Sequence, residues 1–379
     1  MSDSIAILDR LIAFQTVSHQ SNMAMIDFIR DTLDGCGITC QIITDETGDK
    51  ANLYATIGPQ DRPGVMLSGH TDVVPVEGQA WTRDPFKMIE ADGCLYGRGT
   101  TDMKGFIACA LAAAVQASKM DLKIPLHLAF SHDEEIGCVG VRHLIDVMEK
   151  APVKPKFCLI GEPTLLQVAT AHKGKLAARA ICRGVECHSA MAPNGVNAIH
   201  LAADLMAEIR ALQADIEKSG GRDGDYDIPY TTLHAGIIHG GAALNIVPNL
   251  CTLDFEIRNI AADDPAVLMD QIVARAGQIV EGYDGAAIEF ESIHSYPGLD
   301  TPPDSAVVSF VKSLTGANST TKLSFGTEGG LFDERLGIPT VVCGPGSMAQ
   351  GHKPDEFIAR SEMAACDKML AALLVRLAD

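Results

Sequence analysis

Three short apolar runs, at 65–67, 126–130 and 157–160, each finish within a few residues in histidine or carboxylate side chains. The first leads into LSGHTDVVP, with His70 and Asp72. The second leads into SHDEEIG, with Asp133, Glu134 and Glu135, and the third into GEPT, with Glu162. A short continuous apolar run bounded by turn residues is the pattern of a strand buried on both faces. Strands of that kind belong to α/β sheets with helices packed on each side. Ligands of such sheets sit beyond the carboxyl ends of the strands, which is where these polar residues fall.

Helical spacing fills the intervals. Ile5, Leu8, Leu11 and Ile12 share one side of a helix over 4–14, and a second helix over 23–33 follows Ser21 and Asn22 as caps and closes at Gly35. Strands are expected at 38–43 and 51–57, and helices at 104–118 and 141–148. From Gly174 the order becomes strand (175–182), helix (197–216), strand (231–239), strand (250–257), helix (265–280) and strand (286–293). This is the ferredoxin-like βαββαβ arrangement. A helix at 304–314, a strand at 340–343 and a closing helix at 361–377 return to the earlier style. The chain thus divides into a discontinuous domain, 1–173 and 294–379, and an insertion at 174–293.

The length, 379 residues, suffices for two cores. Against 30 basic side chains stand 49 acidic ones, a net charge of −19, which argues against nucleic acid or an anionic membrane as partner. The longest apolar run, 106–115, is too short to span a bilayer. The opening MSDSIAILDRL has no basic region followed by an apolar core, and the eleven cysteines form no C-x-x-C pair. The expectation is a cytoplasmic protein with reduced, packing cysteines.

One H-x-D at a strand end is weak evidence of chemistry. In extended chain, however, a period of two places His70 and Asp72 on one face. Three successive carboxylates repel, and a fold keeps them only beside a cation or with one protonated. In LYGRGTTDMKGF, Asp102 precedes a helix, where an isolated carboxylate is ordinarily an N-cap. The glycines there match neither a phosphate loop nor a dinucleotide fingerprint. His352 follows the strand at 340–343 in GPGSMAQGHKPDE, and the single tryptophan, Trp81, reads as an anchor for the loop GQAWTRDPF. Two histidines among carboxylates suit zinc, cobalt or manganese better than magnesium or calcium. Charge counting favours two divalent ions: three carboxylates and a hydroxide balance them, with the ions about 3.5–4 Å apart. One carboxylate then stays off the metals as general base.

The motifs SGHTDVVP, LYGRGTTDMKGF, SHDEEIG, GEPT and GHKPDEF, in that order over nearly the full chain, resemble those of the metal-dependent aminoacylase, deacetylase and desuccinylase family. The resemblance implies an α/β catalytic domain with a mixed sheet sandwiched by helices. The insertion would be a lid that also forms a homodimer. It implies two divalent ions, zinc with cobalt as the other suited ion, and a small N-acylated amino acid as substrate. His70 and Glu162 would bind one ion, Glu135 and His352 the other, and Asp102 both. Asp72 would orient His70, and Glu134 would be the general base. In CHSAMAPNGVNAI, His188 resembles a lid histidine that stabilises the oxyanion in the partner subunit's site. Asn245 and Arg258 match lid positions that contact substrate, Arg258 through a carboxylate. Gly326 and Thr327 match a substrate-contacting turn. Glu328, beside them, is expected to favour a cationic substrate side chain.

Overall fold

The computed structural model describes residues 3–379 and divides into two compact units. The first comprises residues up to Ala171 together with Leu299–Lys322 and Thr327–Asp379; the second comprises His172–Gly298 and Leu323–Gly326.

The first unit is built on a mixed sheet. Its strands run in the order Cys40–Thr44, Ala51–Ile57, Leu126–Ser131, Val65–His70, Phe157–Pro163, Thr340–Gly344, Ala169–His172 and Leu299–Asp300. Val65–His70 pairs in parallel with Leu126–Ser131 and with Phe157–Pro163, which pairs in parallel with Thr340–Gly344. Every residue of these four strands is buried, as the continuous apolar runs predict. Being parallel, they end at one edge: His70 lies opposite Ser131, and Ser68 opposite Ile160 two residues before Glu162.

The helix Lys104–Ala117 is buried along nearly all its length and packs against the helices Asp3–Ile12 and Arg360–Ala378. Its alanines let neighbours come close. One glycine matters here. A Cβ at Gly161 would lie 1.9 Å from the Phe106 ring, so the strand bearing Glu162 and the helix following Asp102 meet only because residue 161 has no side chain.

Some expectations shift. The helix Met23–Asp34 passes through Gly35 in right-handed geometry and turns at Gly37, whose φ is +76°. The Ile38 N–H then bonds back to the Leu33 carbonyl, so the next strand starts at Cys40 rather than at 38. Asn22 does not cap that helix with its side chain. Its amide instead donates to the Ala51 carbonyl at 2.8 Å and to Thr71 Oγ1 at 2.9 Å. Two features carried no signal in sequence. The helix Gly329–Leu336 opens with two glycines and is held by buried Leu331, Phe332 and Leu336. A sheet of Ile89–Ala91, Cys94–Tyr96 and Phe357–Ala359 has strands of three residues, too short for a period to register.

The second unit has an antiparallel sheet in the order Thr232–Gly240, Leu250–Arg258, Lys175–Arg183, Ala287–Tyr296. In chain order that is second, third, first, fourth strand, the ferredoxin-like sequence. The helices Ala198–Ser219 and Pro265–Val280 bury Leu205, Ile209, Leu212 and Ile272 against Ala178, Leu253 and Phe255. Each has a side-chain cap: Asn197 Oδ1 accepts from the Ile199 N–H at 2.9 Å, and Asp264 Oδ1 from that of Ala266 at 2.8 Å. All eleven cysteines are free, and among the described residues no helix is long and apolar enough to cross a membrane.

Candidate active site

Strand ends and the loops after them bring five ligand-type residues of the first unit together. His70 is 1% exposed. Its Nδ1 lies 2.9 Å from the main-chain oxygen of Asp72, which places the proton there and leaves Nε2 as the donor atom. Nε2 lies 3.1 Å from Asp102 Oδ1 and 3.4 Å from Glu162 Oε1. The other carboxylate oxygen of Asp102 lies 3.1 Å from His352 Nε2, which is also 3.1 Å from Glu135. Two groups result, His70–Asp102–Glu162 and Asp102–Glu135–His352, each with its ligand atoms within 4.8 Å of one another. Asp102 belongs to both. It does not cap the following helix, whose N-cap position is Met103.

These residues fit divalent cations by their charge. Neither group contains a basic side chain other than imidazole, yet each gathers carboxylates. Burial, and then the charge of Asp102, pushes Glu135 up to about 7 and Glu162 up to about 8. Burial opposes a charge on His70, but Asp102, Asp72 and Glu162 outweigh it and raise its pKa. Bonds to Asp102 and Glu135 push His352 up to about 11. Without a cation, protons must supply the positive charge that the cluster demands. Imidazole nitrogen with carboxylate oxygen is the donor set that zinc and its neighbours take.

Glu134 is partly buried next to this cluster. Burial raises its pKa well above the usual range, and Glu162, Glu135 and Glu328 raise it further. Such an environment strengthens the hold of this carboxylate on a proton, as a general base requires. Asp72 does more than face His70. Its carboxylate is 3.4 Å from His70 Nδ1, accepts from Ser18 Oγ at 2.8 Å, and accepts the N–H groups of Glu134 and Glu135 at 3.1 and 3.3 Å. Asp133, the first of the three successive carboxylates, is neutralised by Lys50, whose Nζ lies 2.6 and 2.7 Å from its two oxygens. Only its two successors are left to the cluster. Sequence reasoning passed over Ser18 and Lys50. Ser18 sits in the run LIAFQTVS, but nothing there marks a partner 54 residues away.

Glu328 is a correction. It is 2% exposed, and its carboxylate bonds to the hydroxyls of Ser131 and Ser68 on the two adjacent parallel strands. Burial pushes it up to about 7. A carboxyl enclosed between two serines does not present itself to a substrate's cationic side chain. Thr327, fully buried, accepts the Gly329 N–H through Oγ1 at 3.0 Å.

The remaining residues lie in the second unit. His188 and Asn245 are both exposed and adjacent: His188 bridges to Ile246, and the Ser189 N–H donates to the Asn245 carbonyl at 3.0 Å. His188 Nδ1 accepts the Ala190 N–H at 3.1 Å. The Arg258 guanidinium donates to Glu256 at 3.0 Å and to the Tyr296 hydroxyl at 2.9 Å, so its fork already faces a carboxylate of the protein. Gly326 lies against the same tyrosine, where a Cβ would come within 2.2 Å of the ring.

A largely buried, cation-demanding carboxylate and imidazole cluster at the carboxyl edge of a mixed sheet defines a candidate divalent-metal site. The model of peptidase family M20/M25/M40 matches residues 66–376, and the chain belongs to that family. It is a hydrolase acting on amide bonds. Acetylornithine deacetylase of Myxococcus xanthus is 33% identical over 380 residues, covering 98% of this chain and 97% of that one. The acetylornithine deacetylase of Shigella sonnei is 35% identical over 361 residues, covering 93% and 92%. Among solved structures, a family M20 metallo-carboxypeptidase from Sulfolobus solfataricus has a TM-score of 0.79 at 20% identity, covering 100% of this chain and 99% of the other. A dinuclear metal-binding peptidase of family M20 from Bacillus subtilis has a TM-score of 0.68 at 15% identity, covering 99% and 97%.

Proposed function

We propose that this chain hydrolyses N2-acetyl-L-ornithine to L-ornithine and acetate in the cytoplasm, supplying ornithine for arginine synthesis. The observation that carries this reading is the identity of 33% and 35% to acetylornithine deacetylases over nearly the whole chain. His70, Asp102 and Glu162 would hold one divalent ion, and Asp102, Glu135 and His352 the other, with zinc as the resident metal and cobalt as a working substitute. When bound, such ions lower the pKa of water and polarise the amide carbonyl. Glu134 takes the proton from the attacking water and delivers it to the departing amine nitrogen. Asp72 holds the main chain of Glu134 and Glu135 and the imidazole of His70. The second unit acts as lid and as homodimer surface, with His188 assisting the oxyanion and Asn245, Arg258 and Gly326 contacting substrate, as does Thr327 from the first unit.

The test is turnover by zinc-loaded and cobalt-loaded protein of three substrates: N2-acetyl-L-ornithine, N-acetylmethionine and N-succinyl-diaminopimelate. The first should be hydrolysed with the highest kcat/KM. Brisk hydrolysis of either of the others beside negligible turnover of the first overturns the substrate assignment. Glu134→Gln should retain two metal equivalents and lose turnover by at least about 100-fold; an unchanged rate removes Glu134 as base.

A further inference from the structure

The loop Gly78–Phe86 and the buried Arg98–Glu356 pair have no place in the chemistry above, yet through Gln79 and Glu356 they reach the main chain of His352 and Asp102. Arg98 and Glu356 are each 1% exposed and form an ion pair at 2.7 Å. Glu356 Oε2 also accepts the Gly99 N–H at 3.1 Å, and Oε1 accepts those of Thr101 and Asp102 at 2.9 and 3.1 Å. The carboxylate that follows His352 by four residues therefore holds the main chain of Asp102 itself.

From the other side, Arg98 Nη2 donates to Gln79 Oε1 at 2.5 Å, and Gln79 Nε2 donates to the His352 carbonyl at 2.9 Å. Trp81 completes the bridge. Its indole N–H donates to the same Gln79 oxygen at 3.0 Å, and its ring lies 5.0 Å from the Arg98 guanidinium. A histidine at φ +60° needs such restraint, because that backbone geometry is unfavourable for a side-chain-bearing residue.

We propose that Glu356, Arg98 and Gln79 are positioning residues that set the separation of Asp102 from His352 and so determine cation affinity at the Asp102–Glu135–His352 group. The proposal rests on the metal assignment made above. The bridge acts through main-chain atoms of two ligands, and the ligand side chains inherit its geometry.

Gln79→Glu is the decisive variant. The new carboxylate keeps both acceptor bonds, from Arg98 and from Trp81, and loses only the donor to the His352 carbonyl. Its added negative charge would by itself tighten cation binding, so a loss of affinity must come from the broken bridge. Residue 79 is partly exposed, and the substitution leaves the core untouched.

The metal-free full-length protein is titrated with cobalt(II), following visible absorption and bound equivalents. Wild type should take up two equivalents. Gln79→Glu should bind one as wild type does and the other at least about tenfold more weakly, with altered absorption for that equivalent and an unchanged thermal midpoint of the metal-free protein. His352→Gln should remove the same equivalent. Glu356→Gln should act in the same direction and more strongly; if it also lowers the metal-free midpoint, Gln79→Glu decides alone. Two unaltered equivalents in Gln79→Glu overturn the bridge while leaving the metal assignment standing. Fewer than two equivalents in wild type overturn the metal assignment, and the bridge with it.

Discussion

Removing the Asp72 carboxylate separates its two duties. In Asp72→Ala the main-chain oxygen of residue 72 remains, and His70 Nδ1 keeps its 2.9 Å bond to it. The orientation of Nε2 toward Asp102 and Glu162 is thereby retained. What disappears is the acceptor for the Glu134 and Glu135 N–H groups and for Ser18. An N–H left without its acceptor costs about 1–3 kcal/mol. Taking the lower half of that range for two groups gives about 3 kcal/mol, borne by the loop that carries the base. If that loop must recover its position in the transition state, the rate falls by somewhat over 100-fold. His70→Ala deletes a proposed ligand outright and should lose the ion at the His70–Asp102–Glu162 group. The assay is elemental metal analysis after dialysis, with kcat and KM for N2-acetyl-L-ornithine measured on the same samples. Asp72→Ala should keep close to two equivalents with kcat down by about 100-fold; His70→Ala should keep close to one. Equal metal loss in the two variants, or an undiminished kcat in Asp72→Ala, refutes the division of labour.

Gly161→Ala forces a Cβ against the Phe106 ring and should destabilise by about 1–3 kcal/mol in denaturant unfolding. Phe106→Leu in the same chain should recover part of that loss, and strictly additive effects would mean that the two positions do not compete for space. Acid should weaken the fold through His127, which burial pushes down to about 4, with Nδ1 placed between the Tyr54 and Thr56 hydroxyls. A histidine held neutral in the fold contributes stability that is complete above its unfolded pKa, near 6.5, and is lost as pH falls from there toward 4. The loss approaches roughly 3 kcal/mol. His127→Gln should flatten the stability profile over that window, and an unchanged slope would assign the acid sensitivity elsewhere.

The parallel strands were legible because burial on both faces leaves continuous apolar runs, and their ends are where His70, Glu134, Glu135 and Glu162 stand. The ferredoxin-like order of the second unit was legible for the complementary reason: its strands alternate, and its helices open with Asn197 and with Asp264–Pro265. What sequence could not deliver was partnership across distance. Asp133 reads as one of three equivalent acids until Lys50, 83 residues earlier in the chain, takes its charge. Glu328 reads as a substrate contact from its neighbours Gly326 and Thr327, and only the fold encloses it between Ser68 and Ser131. Spacing reports which residues share a face of one element. It carries nothing on which hydroxyl, lysine or main-chain N–H a second element brings up to them.

That limit has a physical consequence for the site. The five proposed ligands, the proposed base and Asp72 put five carboxylates and two imidazoles in one largely buried region. Folding it before a metal arrives would be prohibitive if each charge stood alone. The structure meets the cost in two ways. Carboxylates that the metals do not need are paired inside the protein: Asp133 with Lys50, and Glu356 with Arg98. Carboxylates proposed to bind the metals are left to attract protons, which metal ions would displace. Metal uptake by this cluster should therefore release protons. Proton release per cobalt bound near pH 7, measured in lightly buffered solution, is the quantity that ties the buried charges to the cation they are arranged to hold.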